Sequence, residues 1–355
     1  MATRQPQISL LRKSHRKNML KSKLSISALI LMLLAVACSP ATPTAQSTPT
    51  TLATSALAAI RLPVGYIPDV QFAPLYVAMQ KGYFQQEGIN LTMDYNTETD
   101  AVALVGANKL QFAIASGEQV LLGRAQGLPV VYVAGWFQQY PVGVASSTSL
   151  GIQKPADLKG KKIGIPLLSG ASYIGLRALL DAGGLKESDV TLDVIGFNQV
   201  QALAAGQEQA IVVYDNNEPI QLKSKGYAVN VLRVGDYLQL VGNGLITNET
   251  ALKEHPELVR SMVKALLEGI SYTMAHPVEA YSISTQYVEN LAKADTSVQK
   301  QILATSIDLW KTNQLGYTDP KAWSNMQDIL LKMGLLKQPL DLTRAFSNEY
   351  LPQQP

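Results

Sequence analysis

The order of secondary-structure signals along the chain repeats, and this repeat limits the possible folds more than any other feature. From Ala59, a strand-like segment, a loop, a helical segment and a second strand-like segment follow one another (IRLPVGY to INLTMDY). The same order returns from Lys161 (KKIGIP to VTLDVIGF). Alternating strands and helices are typical of α/β sheets covered by helices. Two copies of this order predict two similar lobes.

The strand-like segments are apolar along their length instead of alternating, as in QAIVVY. This pattern favours a doubly wound, mainly parallel sheet flanked by helices in each lobe. Beyond Gly244 the pattern is helical, with an apolar packing face over Pro256–Ala275 and later helix starts near Pro277, Thr296 and Pro320. In such sheets ligands bind beyond the carboxyl ends of the strands, so two facing sets of loops predict a cleft.

The first 37 residues have the composition of a signal peptide. Seven of them are basic and none is acidic, and the apolar run from Leu24 to Ala37 is shorter than the roughly 20 residues that span a bilayer. The segment Leu34–Cys38 resembles the lipobox of bacterial lipoproteins, which makes Cys38, the chain's single cysteine, the expected site of a lipid anchor. The alternative is a buried cysteine at the end of a membrane helix.

Residues 38–58 contain many Ser, Thr and Pro residues and no charge, so they predict a flexible tether between the anchor and the globular part. Removal of residues 1–37 leaves 23 basic against 27 acidic side chains, a net charge of −4. An acidic chain of this kind lacks the clustered cations that nucleic acid requires, so no nucleic-acid partner is expected.

Motifs for catalysis, metal binding or cofactor binding are missing from the sequence. His255 and His276 each precede a proline and have no metal-ligand neighbour at a useful spacing. The chain also has no glycine-rich phosphate loop with lysine and no nucleophile elbow. Glu118 and Glu218 could meet across the cleft as a carboxylate pair, and this alternative stays open. The sequence predicts a binding protein with no cofactor and no metal.

Aromatic, amide, hydroxyl and carboxyl side chains cluster in the loops that follow the predicted strands. Aromatic rings can stack on a flat heterocycle, and amides can pair with its ring donors and acceptors. A single aromatic residue more often fills a core, but the clustering at strand ends favours a ligand. The predicted binding residues are Tyr66, Asp69, Gln71, Phe72, Ser116, Glu118, Trp136, Gln138, Ser169, Ser172, Tyr173, Asn216, Asn217 and Glu218.

Four segments carry a resemblance to a known family. They are GYIPDVQFAPLYVAMQKGYFQQEGI, ASGEQVLLGRAQGLPVVYVAG, KPADLKGKKIGIP and YDNNEPIQL. In this order they resemble the solute-binding proteins of ABC importers, in the branch that includes binders of thiamine pyrimidine precursors and sulfonates. The resemblance covers about Ile60 to Tyr350.

The resemblance implies a type II periplasmic-binding-protein fold, in which two lobes joined by two crossovers close on the ligand. We place the crossovers near 144–147 and 243–246. Lobe 1 then comprises residues 59–145 and 245–355, and lobe 2 comprises residues 146–244. A monomer working with membrane permease subunits is the expected form.

The identity of the ligand follows from resemblance within this branch. Asn217-Glu218-Pro219 is similar to the corresponding motif of formylaminopyrimidine binders, whereas the lipobox, the tether and the amide-rich loops look most like riboflavin-binding lipoproteins. We therefore expect riboflavin, with formylaminopyrimidine as the alternative. The turn at 168–172 opens a helix whose N–H groups could bind an anion, so a phosphorylated pyrimidine also stays open.

The expected protein is thus a lipid-anchored receptor on the extracytoplasmic side of the cell membrane that delivers a vitamin to an ABC permease. Two other classes are alternatives. Pyrimidine synthases share this fold, but they resemble this chain less because they carry a cysteine-rich iron-binding stretch, and no cysteine follows Cys38. An adhesive surface protein would not need polar groups that converge at strand ends.

Overall fold

The structure is a computed structural model, and it describes residues 56–95 and 97–353. The predicted signal peptide, Cys38 and nearly all of the predicted tether lie outside the described residues. Among the residues that are described, no helix has both the length and the apolar character needed to cross a membrane.

Between residues 58 and 135, strands and helices follow one another in the predicted order. The helical segment after the first strand is divided in two because Gly82 adopts a left-handed conformation (φ +77°), which favours glycine. The apolar segment 110–115 forms a strand only over its last three residues, Ala113–Ala115. The elements are β1 (Ala58–Val64), α1 (Ala73–Gln80), α2 (Tyr83–Gln86), β2 (Ile89–Tyr95), α3 (Glu98–Gly106), β3 (Ala113–Ala115), α4 (Gly117–Ala125) and β4 (Val130–Gly135).

The second half of the chain repeats the strand and helix order and then returns to a single strand. Its elements are β5 (Val142–Ser147), β6 (Lys162–Ile165), α5 (Gly170–Ala182), β7 (Thr191–Val194), α6 (Gln199–Ala204), β8 (Ala210–Tyr214), α7 (Glu218–Ser224), β9 (Val229–Arg233) and β10 (Gly244–Asn248).

The C-terminal part is helical, as predicted. Its helices are α8 (Glu249–Glu254), α9 (Pro256–Ala275), α10 (Pro277–Ser284), α11 (Thr296–Trp310) and α12 (Pro320–Lys332). The apolar stripe of α9, which includes Val259, Val263 and Leu266, is fully buried, and α9 packs against α1. This stripe is therefore a packing face.

Both halves form mainly parallel sheets with one reversed strand. In the second sheet, of order β7-β6-β8-β5-β9, β6 is parallel to β7 and β8, whereas β5 is antiparallel to β8 and β9. In the first half, β1 and β2 form a parallel pair, β1 lies beside β3, and β10 runs antiparallel between β3 and β4. The predicted α/β fold with mainly parallel sheets is confirmed.

The reversed strands show where the chain passes between the sheets. Residues 144–147, where we placed the first crossover, belong to β5, and Val144 pairs with Val212 on one side and Leu232 on the other. The crossing lies earlier, at 136–141, because β4 ends at Gly135. The chain returns to the first sheet at β10. The lobe boundaries stay a prediction.

Two large apolar clusters hold the sheets in place. One joins β1 to the C-terminal helices and includes Leu62, Leu75 and Trp310. The other contains residues from both sheets, among them Tyr132 and Ile163. This shared core holds the two sheets together, and loops of both sheets line one cleft.

Candidate ligand-binding site

A cleft of about 360 Å³ lies where the loops of the two sheets meet. It is lined by residues that follow β1, β2, β4, β6, β7 and β8, at the strand ends where α/β sheets bind ligands. Its volume lies within the range of roughly 300–1,000 Å³ that is typical of small-molecule sites. The cleft is the candidate binding site.

Eight of the predicted binding residues line this cleft. They lie in four loops, two in the first half of the chain and two in the second, and are up to 152 positions apart in the sequence. The eight are Tyr66, Gln71, Phe72, Trp136, Ser169, Ser172, Asn217 and Glu218.

Three other predicted residues lie next to the lining. The Asp69 carboxylate accepts the backbone N–H of Gln71 at 2.9 Å, so it shapes the loop after β1, and burial raises its pKa to about 6. Ser116 and Glu118 are fully buried behind the cleft wall, at the start of α4. These three residues support the wall instead of forming its surface.

The remaining three predicted residues are not among the lining residues of the cleft. The backbone N–H of Gln138 donates to the carbonyl of Leu309 at 2.9 Å. The Tyr173 hydroxyl donates to Glu187 at 2.6 Å, and Tyr173 lines a second cavity of about 220 Å³. The Asn216 amide donates to the Ser306 hydroxyl of α11 at 2.7 Å.

Several lining residues were not predicted, and some of them lie at strand ends that we did not consider. Tyr95 ends β2, Glu98 and Thr99 follow it, and Phe197 follows β7. Asn243 lies on the return crossing. The rule used for the other loops applies equally after INLTMDY and would have found Glu98 and Thr99.

Aromatic rings form one wall of the cleft. The rings of Phe72 and Trp136 meet edge to face with centroids 6.2 Å apart, and Phe72 and Tyr95 are 6.1 Å apart. Trp136 is only 1% exposed, and its indole N–H has no hydrogen-bond partner in the part of the chain that the structure describes. The wall thus combines flat apolar surface with one unused donor.

Contacts across the cleft connect the two sets of loops. The amide of Asn217 donates to the Tyr66 hydroxyl oxygen at 3.3 Å. The rings of Tyr66 and Phe197 meet edge to face at a centroid distance of 4.9 Å. Tyr66 follows β1, whereas Phe197 and Asn217 follow strands of the second sheet, so these contacts bridge the cleft mouth.

Glu218 brings a carboxyl group into the cleft. It accepts the backbone N–H of Tyr214 at 2.9 Å, and burial raises its pKa to about 7. Near neutral pH this group is therefore present both as acid and as carboxylate. The lining residues that the structure describes include no Lys, Arg or His. This composition suits a neutral ligand better than an anion.

A second carboxyl group, Glu98, is fixed at the inner end of the cleft. It accepts the backbone N–H of Ser116 at 3.2 Å and the side-chain amide of Asn243 at 2.6 Å. The Tyr214 hydroxyl in turn donates to Asn243 at 3.2 Å. Burial raises the pKa of Glu98. Three elements thus hold this carboxyl in one orientation.

The described residues contain no group of three or more His, Cys, Asp or Glu side chains that could hold a metal ion. The polar groups of the cleft are spread along its walls, where they can pair with separate parts of a ligand.

The fold and the cleft define the class of protein. A solved structure of the alkanesulfonate-binding protein SsuA from Xanthomonas axonopodis pv. citri, bound to MOPS, matches with a TM-score of 0.66 and 17% identity, over 82% of this chain and 98% of that chain. This chain therefore has the two-lobed fold of periplasmic binding proteins.

Sequence comparison then gives the family. Residues 69–280 match the family described as NMT1/THI5 like, and the chain belongs to this family. The riboflavin-binding protein RibY of Chloroflexus aurantiacus is 38% identical, over 94% of this chain and 99% of the relative. The formylaminopyrimidine-binding protein of Halalkalibacterium halodurans is 27% identical, over 82% and 91%.

The family also contains enzymes. A 4-amino-5-hydroxymethyl-2-methylpyrimidine phosphate synthase of Saccharomyces cerevisiae is 24% identical, over 80% of this chain and 85% of the relative. Together the comparisons confirm the resemblance to solute-binding proteins of ABC importers that the four sequence segments indicate.

Proposed function

We propose that this chain is the solute-binding protein of an ABC importer and that it captures riboflavin outside the cell for delivery to the membrane permease. The proposal is supported by the 38% identity to RibY, which extends over nearly the whole of both chains. It is also supported by the size of the cleft and its position between two sets of strand-end loops.

The composition of the cleft carries the proposal. Partly exposed lining rings such as Tyr66 and Phe197 offer surfaces for a flat ring system, and each aromatic pair contributes about 0.5–1.5 kcal/mol beyond area burial. Sulfonates and phosphates are usually bound through Arg or Lys, and the described lining offers neither. A broad, neutral heterocycle therefore fits this lining better than an anion.

The polar lining residues suit the two parts of riboflavin. The amides of Gln71 and Asn217 can pair with the uracil-like edge of the isoalloxazine, which presents both donors and acceptors. The hydroxyls of Ser169 and Ser172 can pair with the ribityl chain. Riboflavin bound in this way would be held between both sheets, so closure and binding would be coupled.

We further propose that Cys38 carries the lipid anchor and that the protein works as a monomer on the extracytoplasmic side of the membrane. The segment Leu34–Cys38 and the uncharged tether that follows it support this assignment. A binding role, as opposed to catalysis, is supported by the lack of any cysteine after Cys38 in the sequence.

Flavin fluorescence tests the proposal. Titration of riboflavin with the purified protein should quench the emission, because stacking on the Trp136 side of the cleft provides an efficient quencher. Trp136→Phe should bind with less quenching, and Trp323→Phe, a buried tryptophan outside the cleft lining, is the matched control. Unchanged emission at micromolar protein would contradict riboflavin as the ligand.

Glu218 favours a second candidate, formylaminopyrimidine. A carboxylate can accept the amino N–H of an aminopyrimidine, and Glu218 is partly ionised near neutral pH because its pKa is about 7. The 27% identical relative bears this ligand in its name. A competition assay decides between the two ligands. If formylaminopyrimidine displaces bound riboflavin at a lower concentration than unlabelled riboflavin does, formylaminopyrimidine is the preferred ligand.

A further inference from the structure

Two carboxyl groups and one hydroxyl form a chain at the inner end of the cleft. Glu98 is half-buried and lines the cleft, whereas Glu118 is fully buried behind it. The Ser116 hydroxyl lies between them, 2.5 Å from Glu98 Oε2 and in contact with Glu118 Oε1. Within residues 56–95 and 97–353, neither carboxyl pairs with a cation.

The contacts determine where the protons of this chain lie. A serine hydroxyl has one proton to donate, so it cannot donate to both carboxyls. Glu98 accepts two further hydrogen bonds, from the Ser116 backbone and from Asn243, and such donors stabilise a charged carboxylate. The Ser116 hydroxyl therefore donates its hydrogen bond to the Glu98 carboxylate. Glu118 must then donate its own proton to the Ser116 oxygen, since two oxygens without a proton between them repel each other.

The other titratable groups that face Glu118 are phenols. The Tyr140 hydroxyl lies 3.4 Å from Glu118 Oε2, but its shorter hydrogen bond, at 3.0 Å, is to the carbonyl of Ala171. Tyr132 donates to the carbonyl of Gly242 at 3.1 Å. Burial raises the pKa of both and of Tyr214, so all three stay neutral. Burial and the charge of Glu98 raise the pKa of Glu118 to about 8, in agreement with a protonated Glu118.

The cleft wall also contains an unpaired donor. The indole N–H of Trp136, which is 1% exposed, has no partner among the described residues, although buried donors are almost always paired. The backbone N–H of Trp136 donates to the carbonyl of Asn243 at 3.1 Å, and the side chain of Asn243 donates to Glu98. Hydrogen bonds therefore link the Trp136 backbone to Glu98 through Asn243.

We propose that Glu98 is a specificity-determining residue whose carboxylate accepts a hydrogen bond from an N–H or O–H group of the ligand, while Glu118 is a positioning residue that holds the proton of the pair. The proposal rests on the proposed function and names the part of the cleft that selects the ligand. A fixed negative charge at this end selects a ligand with a donor there and repels sulfonates and phosphates.

Matched substitutions test the assignment. Riboflavin and formylaminopyrimidine are titrated against the wild type, Glu98→Gln, Glu118→Gln and, as control, Glu208→Gln, a buried carboxyl outside the cleft lining. Glu98→Gln should weaken binding roughly 10- to 100-fold, the effect of losing a charged hydrogen bond. Glu118→Gln should stay within about threefold, because glutamine also donates to the Ser116 oxygen. The reverse order, or equal losses, would overturn the proposal.

A ligand-free measurement separates this inference from the proposed function. The infrared spectrum of the wild type at pH 6.5 should contain the C=O band of a buried protonated carboxyl that disappears in Glu118→Gln and persists in Glu98→Gln. Loss of that band in Glu98→Gln alone would refute the proton assignment. A wild type that binds neither compound would refute the proposed function and the ligand contact of Glu98. Thermal unfolding of each variant establishes that it is folded.

Discussion

Replacement of Glu118 by glutamine should change how stability depends on pH. The pKa of Glu118 is about 8 in the folded protein, against 4.5 for an ordinary glutamate, mainly because the side chain is buried. Between these values the folded state holds a proton that the unfolded state releases. The free energy of unfolding therefore falls as pH rises through this window, and the contribution is lost above the folded pKa.

The size of this change in unfolding free energy follows from the pH interval in which only the folded state is protonated. Each pH unit costs about 1.36 kcal/mol while only the folded state is protonated, so the wild type should lose roughly 2–3 kcal/mol between pH 5.5 and 7.5 through this group. Glutamine carries no such proton. Asp69, Asp215 and Glu218, whose pKa values burial also raises, are present in both proteins, so their contributions cancel in the comparison.

Urea unfolding at pH 5.5, 6.5 and 7.5 provides the assay. The stability difference between Glu118→Gln and the wild type should shift in favour of the variant as pH rises, by about 2–3 kcal/mol over the range. Parallel pH profiles for the two proteins would refute the reasoning, since they would show that Glu118 is ionised in the folded state or is solvated.

Three further predictions concern other parts of the chain. Tyr66→Phe removes the hydrogen bond with Asn217 across the cleft mouth, and small-angle scattering should show a larger radius of gyration without ligand; an unchanged radius would show that the bond does not hold the loops together. Asn216→Ala removes the bond to Ser306 in a buried site and should cost about 1–3 kcal/mol in urea unfolding, whereas a neutral effect would mean that the bond is not stabilising. Cys38→Ala should release the protein from the membrane fraction with its riboflavin affinity intact, whereas Ser39→Ala should not; retention of the Cys38 variant would exclude the lipid anchor.

Much of the fold could be predicted because its determinants are local. The helices that begin at Pro256, Pro277, Thr296 and Pro320 start where the sequence predicts, since proline and periodic apolar residues mark helix starts within a few positions. The positions of the two antiparallel strands, β5 in the second sheet and β10 in the first, could not be predicted in this way. β10 pairs with β3 and β4, which precede it by more than a hundred residues, and no local pattern specifies such partners.

The site was predictable to a similar degree. Eight of the residues predicted in the loops after strands line the cleft, and their role in binding stays a prediction. Asn216 and Asn217 are neighbours in sequence, but the start of α7 directs one toward α11 and the other into the cleft, which composition cannot distinguish. Ser116 and Glu118 are buried behind the wall because α4 begins there against the return crossing.

Equilibrium dialysis of riboflavin against the purified protein tests the central claim most directly, since it measures binding and permits recovery of the ligand. We expect the wild type to bind one riboflavin molecule per chain and to release it chemically unchanged. Substitutions in the cleft should reduce this binding. Equal riboflavin concentrations on the two sides of the dialysis membrane at micromolar protein would contradict the account. Recovery of a different compound would also contradict it.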